Sequence, residues 1–126
     1  MQLAGRYLRA GGCLIVSGEN PYYSCLEWDG TRYVVARPYV GEGPQEYASW
    51  KGVPIVTHHR TLGTFVRYIV AAGLHVEALV ETPLNPAAVG EAHVDPARWY
   101  SVARARLVPT TFIVKARKPR VPPNLL

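Results

Sequence analysis

Tyr7-Leu8-Arg9-Ala10-Gly11-Gly12-Cys13-Leu14-Ile15-Val16-Ser17 reads as the end of a helix, a glycine turn and a buried strand. Leu3, Tyr7 and Leu8 mark the apolar face of a helix over residues 2–10. Gly11 or Gly12 ends that helix by taking a positive φ. Cys13 to Val16 is a continuous apolar run, the pattern of a parallel strand covered on both faces. Such a unit ordinarily stands in the middle of an α/β domain, yet here it opens the chain.

Working outward, residues 18–30 are loop-rich, with Gly18, Asn20-Pro21 and Asp29-Gly30. Tyr33 to Ala36 is β-prone and is broken by Pro38; Gly41 to Pro44 reads as a turn. A second β-prone stretch covers 52–59. Stretches 32–37 and 53–59 are expected to pair as an antiparallel arm, with Pro54 at an unpaired edge or a strand end. Leu62, Phe65, Val66, Ile69 and Val70 recur at helical spacing and predict a helix over 62–72, with Thr61 as N-cap and Gly73 as its stop. Leu74, Val76, Ala78 and Val80 then alternate with polar residues, as in a strand. Leu79 breaks the alternation, so the second face is expected to be partly covered.

A loop over 82–94 follows. Asp95 as N-cap and Pro96 at the first helical position predict a short helix running to about Ala105. The last strand covers Thr111 to Lys118, with Phe112, Val114 and Ala116 on one face and Ile113 on the other. The helix–strand alternation predicts an α/β layered fold. Three strands and one long helix cannot cover both faces of a sheet, so a face or an edge is expected to be open.

Length and composition bound the function. A chain of 126 residues with 48% hydrophobic content supports one packed domain. No apolar run approaches the roughly 18 residues of a membrane span, and no secretion signal is legible. Two cysteines, Cys13 and Cys25, predict buried or free thiols in a reducing cytoplasm rather than a disulfide. The net charge of +5 is uneven: all seven basic residues after residue 97 stand without an acidic one. A solvated basic helix and strand edge account for this. The competing reading is a nucleic-acid surface built from Arg98, Arg104, Arg106, Lys115, Arg117, Lys118 and Arg120. It requires these on one face, whereas Arg104 and Arg106 are two apart on a helix and diverge.

Several segments in one order resemble the C-terminal half of a class I S-adenosylmethionine-dependent methyltransferase. Tyr7 to Ser17 resembles that family's leucine-arginine-proline-glycine-glycine turn into its fifth strand, with Ala10 in place of the proline. Glu19-Asn20-Pro21 stands where small-molecule members carry a histidine-proline pair. His59 to Phe65 resembles the start of the following helix. Ala72-Gly73-Leu74-His75-Val76 with Glu81-Thr82-Pro83 resembles the run around the sixth strand, and 104–119 resembles the lead into the seventh and its body. The resemblance implies a partial Rossmann-like methyltransferase fold. Its core sheet has three strands, the final one antiparallel between the other two, beside an antiparallel β arm over 31–60. Residues 1–119 form this single partial domain and 120–126 a loose tail. The cofactor in such a family is S-adenosylmethionine. Its glycine-rich loop and ribose-binding acid belong to the N-terminal half, so no tight cofactor binding by this chain alone is expected. Gly41-Glu42-Gly43 is a glycine pair without the strand-to-helix setting that gives such a loop meaning.

The candidate site residues follow from position. In open α/β sheets ligands sit beyond the carboxyl ends of the strands, which selects Glu19, Asn20 and Tyr22. Tyr39, Tyr47 and Trp50 offer an aromatic wall or the arm's own cluster. His58 and His59 are the candidate proton acceptors, and Arg60 a candidate contact for a substrate anion or hydroxyl. The four histidines lack metal-ligand spacing. Two functions follow. One is the C-terminal portion of a small-molecule methyltransferase, inactive without its cofactor half; the other is a non-catalytic, dimeric interaction or ligand-binding module. The expected partners are a second copy or a chain supplying the missing half.

Overall fold

The structure, a computed structural model, describes residues 1–121. Residues 122–126 of the expected tail lie outside the described residues. The elements are α1 (Gln2–Tyr7), β1 (Cys13–Glu19), β2 (Leu26–Trp28), β3 (Tyr33–Val35), β4 (Gly43–Trp50), β5 (Val53–His59), α2 (Leu62–Ala71), β6 (His75–Thr82), α3 (Val102–Ala105) and β7 (Thr111–Arg117). β7 lies between β1 and β6 and is antiparallel to both. β1 and β6 therefore run in the same direction. This is the order expected for the last three strands.

One face of that sheet carries the core. Leu14 and Val16 of β1, Phe112, Val114 and Ala116 of β7, and Val76 of β6 pack against Leu62, Phe65 and Ile69 of α2. Alternation puts these residues on one side, and helical spacing brings the stripe of α2 down onto them. Thr61 caps α2 as expected, its hydroxyl accepting from the amide of Thr64, and Gly73 ends it at φ 79°. Val70, expected in the stripe, is exposed because it lies one position beyond the face that Ile69 occupies.

The other face of the sheet is open, which corrects the reading of β1 as covered on both sides. Its residues alternate between half-buried and exposed, and Ile15 is 65% exposed. Cys13 is likewise exposed, whereas Cys25 is buried; both are free thiols. On β6 a bulge at Glu77 shifts the register against β7, so Leu79 and Val80 are both half exposed. Glu77 uses the bulge to pair with Lys115, 3.3 Å away, and with Arg117.

The helix expected over 2–10 stops at Tyr7, where Leu8 turns extended. Its apolar face is also corrected: Leu3 and Tyr7 are exposed, and Gly5 is the buried residue. A Cβ on Gly5 would stand 2.5 Å from the carbonyl oxygen of Ala72, so only glycine lets α1 approach the end of α2. Lys118 then holds α1 from below, donating to the carbonyls of Gly5 and Leu8 at 2.8 Å.

The expected pairing of 32–37 with 53–59 does not form. Two local hairpins form instead, β2 with β3 and β4 with β5. Each closes on a turn that costs less chain entropy than the longer loop. Asp29 Oδ1 accepts from the amides of Thr31 and Arg32 at 2.8 Å, with Gly30 at φ 106°. Lys51 and Gly52 both take positive φ, as a tight two-residue hairpin requires. Gly43 and Pro44, read as a turn, begin β4. Pro54 falls in the irregular register at the hairpin end, clear of the ladder. The helix expected from Asp95 begins only at Val102, where Ser101 is the cap; Asp95 instead accepts from the amide of Ala97 in a turn.

Among the described residues no helix is long and apolar enough to cross a membrane. The open face predicts a contrast between two substitutions. Phe112→Ala empties the core and is expected to cost about 3–5 kcal/mol in urea unfolding. Ile15→Ala, on the open face of the same sheet, is expected to cost under about 0.5 kcal/mol. Equal losses would show that the outer face is packed.

Candidate functional site

The site begins where β1 ends. Asn20 follows Glu19 and is fully buried. Its amide donates to Glu81 at 2.9 Å, its side-chain oxygen accepts from the amide of Tyr22 at 3.0 Å, and its backbone N–H donates to the carbonyl of Thr110. Asn20 thus clasps the carboxyl ends of β1 and β6 to the segment entering β7. The chain then makes a tight 3-10 turn over Tyr23–Cys25 that buries the Tyr23 ring.

Two tyrosine hydroxyls fasten a distant loop over this turn. Tyr23 Oη donates to the carbonyl of Trp99 at 2.6 Å and accepts from the amide of Ser101. Tyr33 Oη donates to the carbonyl of Pro96 at 2.6 Å. The Ser101 hydroxyl, 2.6 Å from Tyr33 Oη, can donate to it while capping α3 through the amide of Arg104. Burial raises the Tyr23 phenol above its ordinary range.

Arg104 lies beneath the loop, 3% exposed. Its guanidinium stands 4.7 Å from the ring centre of Trp99, 5.1 Å from Tyr23 and 5.4 Å from Tyr33. Its Nε and Nη1 have no hydrogen-bond partner among the described residues, so aromatic faces take the place of a carboxylate. The loop is thereby held with Trp99 Nε1 and Tyr100 Oη both donating to Glu19 Oε2, at 2.8 and 3.0 Å. Burial and the nearby Glu19 charge push the Tyr100 phenol up to about 12.

The β4–β5 hairpin forms the facing wall. Its inward residues by register are Gln45, Tyr47, Ile55, Thr57 and His59. Tyr47 and Trp50 meet Trp99 edge to face, with ring centres 6.1 and 5.9 Å apart. Arg37 lies over the Tyr47 ring at 4.8 Å, donates to its hydroxyl, and is neutralised by Glu27 at 3.1 Å. Between hairpin, loop and Phe65 of α2 lies a cleft of about 300 Å³.

The sequence-derived residues divide. Glu19, His58, His59 and Arg60 border the cleft, as do Tyr47 and Trp50 of the proposed aromatic wall. Asn20 is a buried clasp. Tyr22 and Tyr39 stack on one another 3.9 Å apart, outside the cleft lining. Tyr39 Oη accepts from the amide of Leu62, and burial pushes this phenol up to about 12. His58 pairs with Pro44 on the outer side of the hairpin, whereas His59 is buried. His59 Nε2 is 2.6 Å from the carbonyl of Tyr39, which can only accept, so Nε2 carries the proton and Nδ1 is the acceptor nitrogen. Arg60 donates to the carbonyl of His59 at 2.8 Å. Sequence reasoning passed over Gln45, Thr57, Trp99 and Tyr100. The helix expected from Asp95 to about Ala105 absorbs Trp99 and Tyr100 as helix residues; the structure places them in the loop before α3, which starts at Val102.

Among the described residues, the glycine pair weighed as a cofactor loop does not form one. Gly41-Glu42-Gly43 leads into the edge of a hairpin and opens no helix. Glu42, the acid beside the glycines, is already spent on α2: its Oε1 accepts from Thr61 N at 3.1 Å, Thr61 Oγ1 at 3.0 Å and Thr64 Oγ1. Among the described residues no cluster of three metal-ligating side chains occurs.

No protein-family model matches the chain, and no curated protein matches it by sequence. Solved structures do. A putative S-adenosylmethionine-dependent methyltransferase from Listeria monocytogenes superposes with a TM-score of 0.66 at 17% identity, over 93% of this chain and 52% of that one. An S-adenosylmethionine-dependent methyltransferase from Mesorhizobium loti gives a TM-score of 0.64 at 28% identity, with the same coverage of 93% and 52%. The chain spans about half the length of these structures. It is distantly homologous in structure to such methyltransferases and corresponds to part of their fold, a mixed α/β arrangement with a small antiparallel core sheet. Binding S-adenosylmethionine is a feature of that family.

Glu42 supplies a test of how the arm is anchored. Hydrogen bonds from Thr64 and Thr61 lower its carboxyl from 4.5 to about 2. A depressed acid stabilises the fold above its ordinary range and loses that contribution as pH falls toward 2. Thermal melts from pH 7 downward should show wild type above Glu42→Gln at neutral pH, with the gap closing below about pH 4.5. A gap that stays constant to low pH would remove Glu42 as the anchor.

Proposed function

We propose that this chain is the C-terminal, substrate-binding portion of an S-adenosylmethionine-dependent methyltransferase acting on a small molecule. The cofactor-binding half comes from polypeptide beyond these residues. The observation that carries the reading is the cleft at the carboxyl end of β1. It lies where open α/β sheets hold ligands, on a sheet ordered β1-β7-β6, beneath a hairpin arm. The cleft combines apolar rings with a few convergent polar groups, as small-molecule sites do. The Nδ1 of His59 is the candidate proton acceptor there, since His58 stands on the outer side of the hairpin, and Glu19 and Arg60 are the candidate substrate contacts.

Four of the seven basic residues of the nucleic-acid reading are engaged within the chain, which favours the small-molecule reading. Arg104 is buried among rings, Lys115 and Arg117 pair with Glu77, and Lys118 is bound to the carbonyls of α1. The outer face of the sheet and the unpaired edge of β1 support an association partner, either a second copy or the missing half.

Calorimetric titration of the 126-residue chain with S-adenosylmethionine tests the division of labour. No binding in the micromolar range is expected; micromolar binding would establish a complete cofactor site and overturn the reading. Multi-angle light scattering tests the partner. A dimer is expected at the concentrations used for structural work, and a monomer across a wide range would count against self-association.

A further inference from the structure

We propose that the cleft binds an aromatic or heteroaromatic small molecule carrying a protonated basic nitrogen, which donates to Glu19 while its ring rests against Tyr47 and Trp50. The inference rests on the reading of this cleft as the substrate site and names the class of that substrate.

Charge decides the polar end. The fully charged side chains bordering the cleft are Glu19 and Arg60. Arg60 has a nearby counter-charge in Glu42, whose carboxyl it helps to hold ionised, and it donates to a backbone carbonyl. Arg37, behind Tyr47, is paired with Glu27. Glu19 has no ion-pair partner among the described residues, and the cation behind it, Arg104, lies across the indole of Trp99. Trp99 and Tyr100 both donate to Oε2. They fix the carboxylate in place and leave Oε1 without a donor among the described residues. A carboxylate at the border of a cleft, held by two donors on one oxygen and with none on the other, is suited to accept from a charged N–H group.

Size and lining decide the rest. A cleft of about 300 Å³ stands at the small end of ligand cavities, about 300–1,000 Å³, and suits one or two rings. Tyr47, Trp50, Ile55 and Phe65 supply an apolar wall for those rings. Aromatic faces beside a carboxylate also favour a cation over an anion of the same shape.

The test compares three probes of one shape on the 126-residue chain without S-adenosylmethionine: phenethylamine, 2-phenylethanol and 3-phenylpropanoate, followed by calorimetry. The amine is expected to bind about tenfold more tightly than the alcohol, the gain of a charge-assisted hydrogen bond. The carboxylate should bind more weakly than either. Glu19→Gln keeps an oxygen to accept from Trp99 and Tyr100, so it should erase the preference for the amine and leave the alcohol unchanged. Trp50→Ala should weaken amine and alcohol by the same factor. Equal binding of all three probes, a preference for the carboxylate, an amine preference that survives Glu19→Gln, or no binding of any probe at millimolar concentration would each overturn the proposal. Because the probes are read without cofactor, such a failure leaves the methyltransferase reading to its own titration.

Discussion

Strand β7 is hydrogen-bonded on both sides, to β1 and to β6, and the rest of the molecule is arranged around that fact. Its inward residues Phe112, Val114 and Ala116 are essentially removed from water and form the floor on which α2 rests. Because β7 is antiparallel to both neighbours, the carboxyl ends of β1 and β6 emerge at one edge of the sheet. Asn20 can therefore reach Glu81, and the turn after β1 is held directly above the start of β7. Without the central strand, neither the clasp nor the cleft beyond it would have a foundation.

The cleft itself is assembled by aromatic hydroxyls and cations more than by apolar burial. Tyr23 and Tyr33 tie down the loop carrying Trp99 and Tyr100, and Arg104 fills the space beneath it. A buried guanidinium without a carboxylate is costly unless its charge is met in another way. Here three ring faces meet it. The indole of Trp99 consequently stands between a buried cation and the Glu19 carboxylate. That arrangement fixes the carboxylate through Oε2.

The open outer face of the sheet has a different chemistry. Ile15 and Val80 alternate with Lys115, Arg117 and Glu77, so the face is partly apolar and partly laced by ion pairs. In solved structures about twice as long, the same fold contains further chain.

The sequence by itself determined the elements whose signal is local and periodic. The stripe of α2 with Thr61 and Gly73 at its ends, the strand at 111–117 and the strand at 75–82 were legible because burial of one face imposes a period. The resemblance carried by Tyr7 to Ser17 and by 72–83 placed β7 between the other two strands. Glu19, His59 and Arg60, which border the cleft, were legible as candidates because Glu19 ends a strand and the other two stand between the arm and the start of α2. Only the tertiary structure decided which strands of the arm pair, since β-prone stretches carry no address and the turn at Lys51-Gly52 outcompetes a distant partner. It alone decided that Asn20 is buried against Glu81, that Tyr39 stacks on Tyr22, that Arg104 is buried rather than exposed with the basic tail, and that Trp99 meets Glu19 from 80 residues away. Those contacts depend on where the backbone brings side chains in space, and sequence spacing encodes that only within an element.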